Sequence, residues 1–355
     1  MNLIDRYLFA AVARAALIVM LVLLALIGFV NLAAQLEDVG VGRFEFIDAV
    51  FVVVLTWPTN AFDIFPMAVL LGAMLGLGAL ANRSELIVIR AAGVSSLRLA
   101  GTMLVTGCIL AVVAGVLGEV MGPPAERFKR EYKAELKQDK PGTSRLAGTW
   151  LRDGPRILNI LQVQGPTSLA GVYNFEFDDV GRLRTIGYAR SARKLEADTW
   201  RLEGYVATRV DGDLASIDEA APRVLETRLA PEVLEGSIVE PSRLSMPNLV
   251  EYIDYLRANQ LEADRYELAL WSRVANTIAV IPMALLALPF VFGPLRGGGN
   301  GVRMVVGVLI GVAYFLASGA LANSAAVYDV SPLLSAWAPV LMLSLAASVG
   351  LAKTR

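Results

Sequence analysis

Charged and uncharged residues alternate along this chain in long blocks rather than in short amphipathic periods. Six stretches contain no Asp, Glu, Lys or Arg: Ala15–Leu36, Ile64–Asn82, Leu99–Gly118, Val274–Leu295, Met304–Tyr328 and Val330–Ala352. Each runs to about 20 residues, the length at which a helix rising ~1.5 Å per residue crosses a ~30 Å hydrocarbon layer. A charge at the bilayer centre costs roughly 2.5–3.5 kcal/mol on insertion scales, so the blocks predict six transmembrane helices. Arg6 and Arg14 precede the first block and Ala33–Ala34 imitate a cleavage site. The uncharged run is longer than the ~7–15 residues of a signal core, so it is expected to stay as a span.

Between the third and fourth blocks the pattern changes. Ala125–Lys140 reads as a charged helix carrying Arg127, Lys129, Arg130, Lys133 and Lys137. After Pro141–Gly142 the period becomes alternating: Thr149–Arg152 and Ile157–Val163 flank Asp153–Gly154, and Val172–Phe177 and Leu183–Tyr188 flank Asp178–Gly181. Thr199–Val210, ending in Asp211–Gly212–Asp213, and Arg223–Leu229 complete the series. Short alternating strands with Gly/Asp turns predict an antiparallel sandwich or open barrel. Ser245 then reads as the N-cap of a helix with Pro247 in its first turn and Leu249, Tyr252, Ile253 and Leu256 on one face. The expected domains are residues 1–121 (three spans), 122–264 (an antiparallel β insert with flanking helices) and 265–355 (three spans).

Lys and Arg in the short loops set the orientation. Arg6 and Arg14, then Arg83, Arg90 and Arg98, then Arg296 and Arg303, then Lys353 and Arg355 mark one side. The intervening connections hold Arg43 among Glu37, Asp38, Glu45 and Asp48, or Asp329 alone. Both termini are therefore expected inside and the β insert outside.

Composition removes several chemistries. The 355 residues are 55% hydrophobic, with 32 basic and 33 acidic side chains, no His and one Cys. Without His there is no Ser-His-Asp triad and no H-E-x-x-H zinc helix. Cys108 alone makes neither a disulfide nor a four-Cys metal site, and it reads as packing in the third span. A near-zero net charge gives no reason to expect nucleic acid. There is no G-x-x-x-x-G-K-[ST], and Arg296–Gly301 reads as a flexible loop. The spans hold no Asp for an aspartyl protease, and Asn82–Arg83–Ser84 lies on the inner side, where a glycosylation acceptor has no meaning. Binding or transport is favoured over catalysis.

One inner loop is informative. Ser84 is placed to cap a short helix beginning at Glu85, with Leu86, Ile89 and Ala92–Gly93 following and Arg83, Arg90 and Arg98 around them. Such a helix suits a groove on another protein, or lies on lipid. Pro282 and Pro289 in the fourth span predict a kink. Gly72, Gly76 and Gly78 in the second predict close helix approach. Arg273 beside Trp271 reads as an interfacial anchor.

Ile64–Ala73, Leu75–Gly78 and Arg83–Leu86, together with Arg265–Tyr266, Trp271–Ser272 and Phe290–Arg296, strongly resemble the permease subunits of the lipopolysaccharide-export ABC transporter, and the G type rather than its F-type paralogue. The resemblance covers essentially the whole chain. It implies a membrane α-helical fold of six spans with a periplasmic antiparallel β-jellyroll between spans three and four, in the bacterial inner membrane. It implies an F-type permease partner, a dimeric cytosolic ABC ATPase that binds ATP and Mg, a periplasmic jellyroll bridge and a single-span accessory subunit. It also implies that the Glu85 helix couples to the ATPase, with Arg83, Leu86, Ile89, Arg90 and Gly93 contributing. The nearest alternatives are the F-type paralogue and a mechanotransmission subunit that carries no lipid.

A lipid cavity needs apolar walls and outer-surface cations. Candidate lining residues are Leu24, Ile27 and Val30 on the first span, Phe65, Met67 and Leu71 on the second, and Phe315 and Leu316 on the fifth. G-type relatives carry lysines near the outer end of span one and before span two, whereas Asn31, Glu37, Asp38 and Thr59 stand here. Lys129, Arg130 and Lys133 with Arg43, or the partner subunit, are expected to supply the phosphate-binding charge.

Overall fold

A computed structural model describes residues 3–137, 148–165, 167–178, 180–196, 199–211, 214–219, 223–226, 234, 236–237, 239–292, 300–328 and 330–353. The Pro141–Gly142 break, Gly212–Asp213, Thr227–Leu229 and most of the Arg296–Gly301 loop lie outside these residues. The chain divides into two compact units, residues 1–139 with 267–355, and residues 140–266.

Among the described residues of the first unit, helices long and apolar enough to cross a membrane number six. They are α1 (Leu3–Gln35), α3 (Trp57–Asn82), α5 (Ser96–Val116), α8 (Asp264–Phe292), α9 (Asn300–Tyr328) and α10 (Pro332–Lys353), each containing the bulk of one uncharged block. Between them lie α2 (Phe46–Leu55), α4 (Glu85–Ala91) and α6 (Gly122–Lys137).

Helix α3 lies at the centre of the packing, with Ala68, Val69, Leu70, Ala73 and Leu77 almost fully buried. It meets α1 through two glycines: a Cβ on Gly72 would stand 2.3 Å from Ala16 Cα, and one on Gly76 would stand 2.8 Å from the Ala11 carbonyl oxygen. Small residues at this spacing let backbones touch where no hydrophobic effect drives helices together. Helix α9 approaches another side of α3, with Gly307 against Leu71 and Met74 and Gly311 against Met67. Pro282 and Pro289 sit inside α8 without ending it, as Pro66 does in α3.

Three features depart from the sequence expectation. The connection after α1 is not only loop. Helix α2 forms there because Glu45 and Asp48 make a reciprocal capping box, each carboxylate accepting the other's backbone N–H. The third span does not stop at Gly118. It passes through a π-turn, Leu117–Met121, straight into α6. Cys108 is exposed rather than packed inside, because its neighbour Gly107 takes the inward position, where a Cβ would lie 3.0 Å from Ile281 Cα.

In the second unit the described strands are β1 (Thr149–Asp153), β2 (Arg156–Gly165), β3 (Ser168–Phe177), β4 (Leu183–Glu196), β5 (Thr199–Glu203), β6 (Val206–Asp211), β7 (Leu214–Glu219) and β8 (Arg223–Glu226). All pairings are antiparallel, as the alternation predicts. The sheet branches at β4: Thr185–Tyr188 pair with β6, while Ser191–Glu196 pair with β5, which leads to β8. Thr199–Val210 is therefore two strands, not one, and β7 is an additional strand. The division falls at Gly204, whose φ of +63° reverses the chain at low cost.

Leu158, Ile160, Trp200 and Leu202 are fully buried in this unit. Helix α7 (Met246–Ala258) starts as expected, with the Ser245 hydroxyl accepting the Asn248 N–H at 3.4 Å, and buries Leu249, Tyr252, Ile253 and Leu256. Tyr255 joins it to the first hairpin. Its hydroxyl accepts from the Arg152 N–H at 2.9 Å and donates to the Arg152 carbonyl at 2.7 Å.

Candidate functional site

Helix α4 is short, and its anchoring comes from neighbours rather than from propensity. Ser84 occupies the N-cap position, but its φ of +60° is left-handed and its side chain makes no cap, contrary to the expectation. Its carbonyl instead accepts the N–H groups of Ile87 and Val88, each at 3.1 Å. At the far end Gly93 turns the chain at φ +91°, and Ser95 caps α5 by accepting from Arg98 N–H at 3.3 Å.

Leu86 is 2% exposed and, with partly buried Ile89, packs into the main core. Glu85 accepts a 2.6 Å hydrogen bond from the Tyr7 hydroxyl of α1. The Arg90 guanidinium lies 5.3 Å from the centre of the Phe292 ring at the end of α8. Arg83, Arg90 and Gly93 are exposed. So are Ile87 and Val88, which the sequence reading did not single out and which are the outward apolar residues of α4. Sequence alone marks α4 as amphipathic but gives no way to tell which apolar residues face the bundle. Tyr7 was also missed, 78 residues away from its partner.

The lipid candidates separate into two groups. Leu24, Phe65 and Leu71 belong to the buried core, with Met67 partly buried against it. Val30, Phe315 and Leu316 are exposed, at 61%, 62% and 63%, while Ile27 and Asn31 are intermediate. Burial thus divides the candidates between the helix core and the exposed surface of the spans.

The basic group is assembled on α6, where acidic residues of the same chain meet it. Lys133 and Lys137 both bridge Asp38, each at 2.5 Å, and Lys133 donates to the Gln35 amide oxygen at 2.6 Å. Lys129 pairs with Glu126. Both Lys133 and Lys137 also lie 5.8 Å from the Phe44 ring centre. Exposed Arg43 joins this platform through its backbone N–H, which donates to the Leu136 carbonyl at 2.9 Å, and Arg130 is half-buried on the same helix. Nearby, Tyr132 donates to Asp48 at 2.5 Å. That hydroxyl, followed by the Glu45 N–H, holds the Asp48 carboxyl below its ordinary value.

Arg273 is not an interfacial anchor. It is 6% exposed, and it pairs with Glu119 and the Gly118 carbonyl of the π-turn. Its partner lies 154 residues earlier in sequence, beyond the reach of any local pattern. Among the described residues, no cluster of three His, Cys, Asp or Glu side chains has the arrangement of a metal site.

Among the described residues, six helices long and apolar enough to cross a membrane, with a branched antiparallel sheet inserted after the third, are the architecture of a multi-pass membrane protein. The chain belongs to the family described as lipopolysaccharide export system permease LptF/LptG, which it matches over residues 6–353. It is 31% identical over 345 residues to the lipopolysaccharide export system permease protein LptG of Escherichia coli (strain K12), covering 95% of this chain and 94% of that one. It is 30% identical over 342 residues to LptG of Haemophilus influenzae, covering 96% of each. Against LptF of Escherichia coli (strain K12) the identity is 26% over 293 residues, 79% of this chain and 75% of that one.

Proposed function

We propose that this chain is the G-type permease subunit of a lipopolysaccharide exporter, seated in the bacterial inner membrane with both termini cytoplasmic and the sheet unit periplasmic. Its F-type counterpart completes the membrane pair. A dimeric cytosolic ATPase binds ATP and Mg²⁺, docks on α4 and performs the hydrolysis, so this chain needs no nucleotide site. Lipopolysaccharide leaves the outer leaflet of the inner membrane and passes to a periplasmic jellyroll bridge, with a single-span accessory subunit in the same assembly. The greater identity and coverage with LptG than with LptF supports the G-type assignment.

The observation that carries the mechanism is the attachment of α4. Leu86 is set into the bundle, Glu85 is tied to α1 and Arg90 to α8, while Ile87 and Val88 face outward. A push on the outward face is thereby transmitted to two spans at once. Each acyl CH₂ sheltered from water is worth roughly 0.8 kcal/mol, so a lipid with several chains leaves only when its shelter collapses. That collapse is the step the ATPase drives. Ile27, Val30, Phe315 and Leu316 offer the accessible lipid contacts, with Leu24, Phe65, Met67 and Leu71 supporting them from within.

Photocrosslinking side chains at Val30, Phe315 and Leu316 test the reading in cells. Lipopolysaccharide adducts at these positions, together with co-purification of a nucleotide-binding protein, are expected. Adducts of ordinary phospholipid alone would contradict it.

A further inference from the structure

Three spans meet at one polar node at the end of α5 opposite to α4. The Arg273 guanidinium of α8 is buried, paired with Glu119 and donating to the Gly118 carbonyl, both within the π-turn that ends α5. The same guanidinium lies 5.5 Å from the ring centre of Phe62 on α3. Gly118 backs directly onto that ring, where a Cβ would stand 2.6 Å from Phe62 Cδ2. One turn further along α8, Asn276 donates from Nδ2 to the Phe62 carbonyl at 2.9 Å. That carbonyl has no regular helical donor, because the residue four places on is Pro66, which has no N–H. Two side chains of one helix thus occupy the backbone irregularities of its two neighbours.

π-turns and internal prolines are where helices change angle. Stability alone does not call for the ion pair, since apolar residues of similar volume often replace a buried pair without loss. A buried cation among membrane spans points instead to function. We propose that Arg273 and Asn276 are positioning residues for lipid transport: they fix the angles of α3 and α5 against α8, and this node rearranges each time the lipid shelter collapses. The proposal deepens the transport reading above and rests on it.

The test uses the chain assembled with its ATPase and partner permease in proteoliposomes carrying lipopolysaccharide. ATP-dependent release from the wild-type assembly comes first; its absence overturns the transport reading, and this proposal with it, before any variant is made. With release established, the double variant Arg273→Leu/Glu119→Leu is expected to melt near the wild type and to keep ATP hydrolysis, while lipid release per ATP falls about tenfold. A purely structural pair predicts that release recovers along with stability, and wild-type release from the double variant overturns the proposal. Asn276→Leu leaves the ion pair in place and decides the matter if the double variant does not assemble. A loss of release of about threefold or more supports the proposal, and a smaller change or none overturns it.

Discussion

The Tyr7 hydroxyl donates a 2.6 Å hydrogen bond to the Glu85 carboxylate, joining the start of the first span to the first residue of α4. Tyr7→Phe keeps the ring and removes this link. Transport per ATP is expected to fall about threefold to tenfold with the subunit still assembled, as measured by lipid release against phosphate release. Parallel loss of assembly and hydrolysis would mean that Tyr7 serves folding instead.

The α1–α3 crossing depends on the absence of a side chain at Gly72, since a Cβ there would fall 2.3 Å from Ala16 Cα and 2.4 Å from Ala16 N. Backbone cannot yield as a side-chain tip does. Gly72→Val is expected to cost about 3 kcal/mol or more and to remove most folded protein from the membrane. Gly101→Ala, which lies inside α5 with nothing within 4 Å of its added Cβ, is the control and should be neutral or stabilising by up to about 1 kcal/mol. Detergent-extracted yield and thermal melting compare the two.

Acid should loosen the contact between α2 and α6. The Tyr132 hydroxyl holds the Asp48 carboxyl below its ordinary value, with the Glu45 N–H second. A carboxyl depressed on folding stabilises fully above its unfolded value of about 3.9 and loses that contribution as pH falls through the lower folded value. Tyr132→Phe removes the main cause. Its melting temperature should fall below the wild type at neutral pH, and the gap should close as the medium is acidified past that range. A gap independent of pH would show that only the hydroxyl's packing matters.

Tyr255 holds α7 to the first hairpin through both backbone groups of Arg152. Burial, the largest cause, raises its phenol above the ordinary value, so it remains a donor throughout the physiological range. Tyr255→Phe leaves the Arg152 groups without this partner and should destabilise the sheet unit by about 1–3 kcal/mol, read from thermal melting of the full chain. An unchanged melt would mean that water replaces the phenol.

The spans were readable in sequence because hydrocarbon excludes charge over whole blocks, and the sheet because its alternation survives in Val172–Phe177 and Thr199–Leu202. Helix α2 was hidden by its unusual cap, two carboxylates in place of the familiar hydroxyl and Glu. Gly204 cut one apparent strand in two because only the backbone reveals a positive φ. At α4 the helix was legible and its phase was not. Leu86 and Val88 are equally apolar, and only the surrounding bundle decides that one is buried and the other exposed. Lys129 and Lys133 looked available as phosphate ligands, yet Glu126 and Asp38 meet them in the fold. Asp38 is far from Lys133 in sequence, and the two helical segments come together only when the first connection packs on α6.

The most direct test of the coupling claim is ATP-dependent release of lipopolysaccharide from proteoliposomes holding the complete assembly, comparing the wild type with Glu85→Ala. The expected result is release by the wild type only when ATP is present, and a large loss of release in the variant although its subunits still associate. Equal release from both, or release that continues without ATP, would contradict an exporter driven through α4.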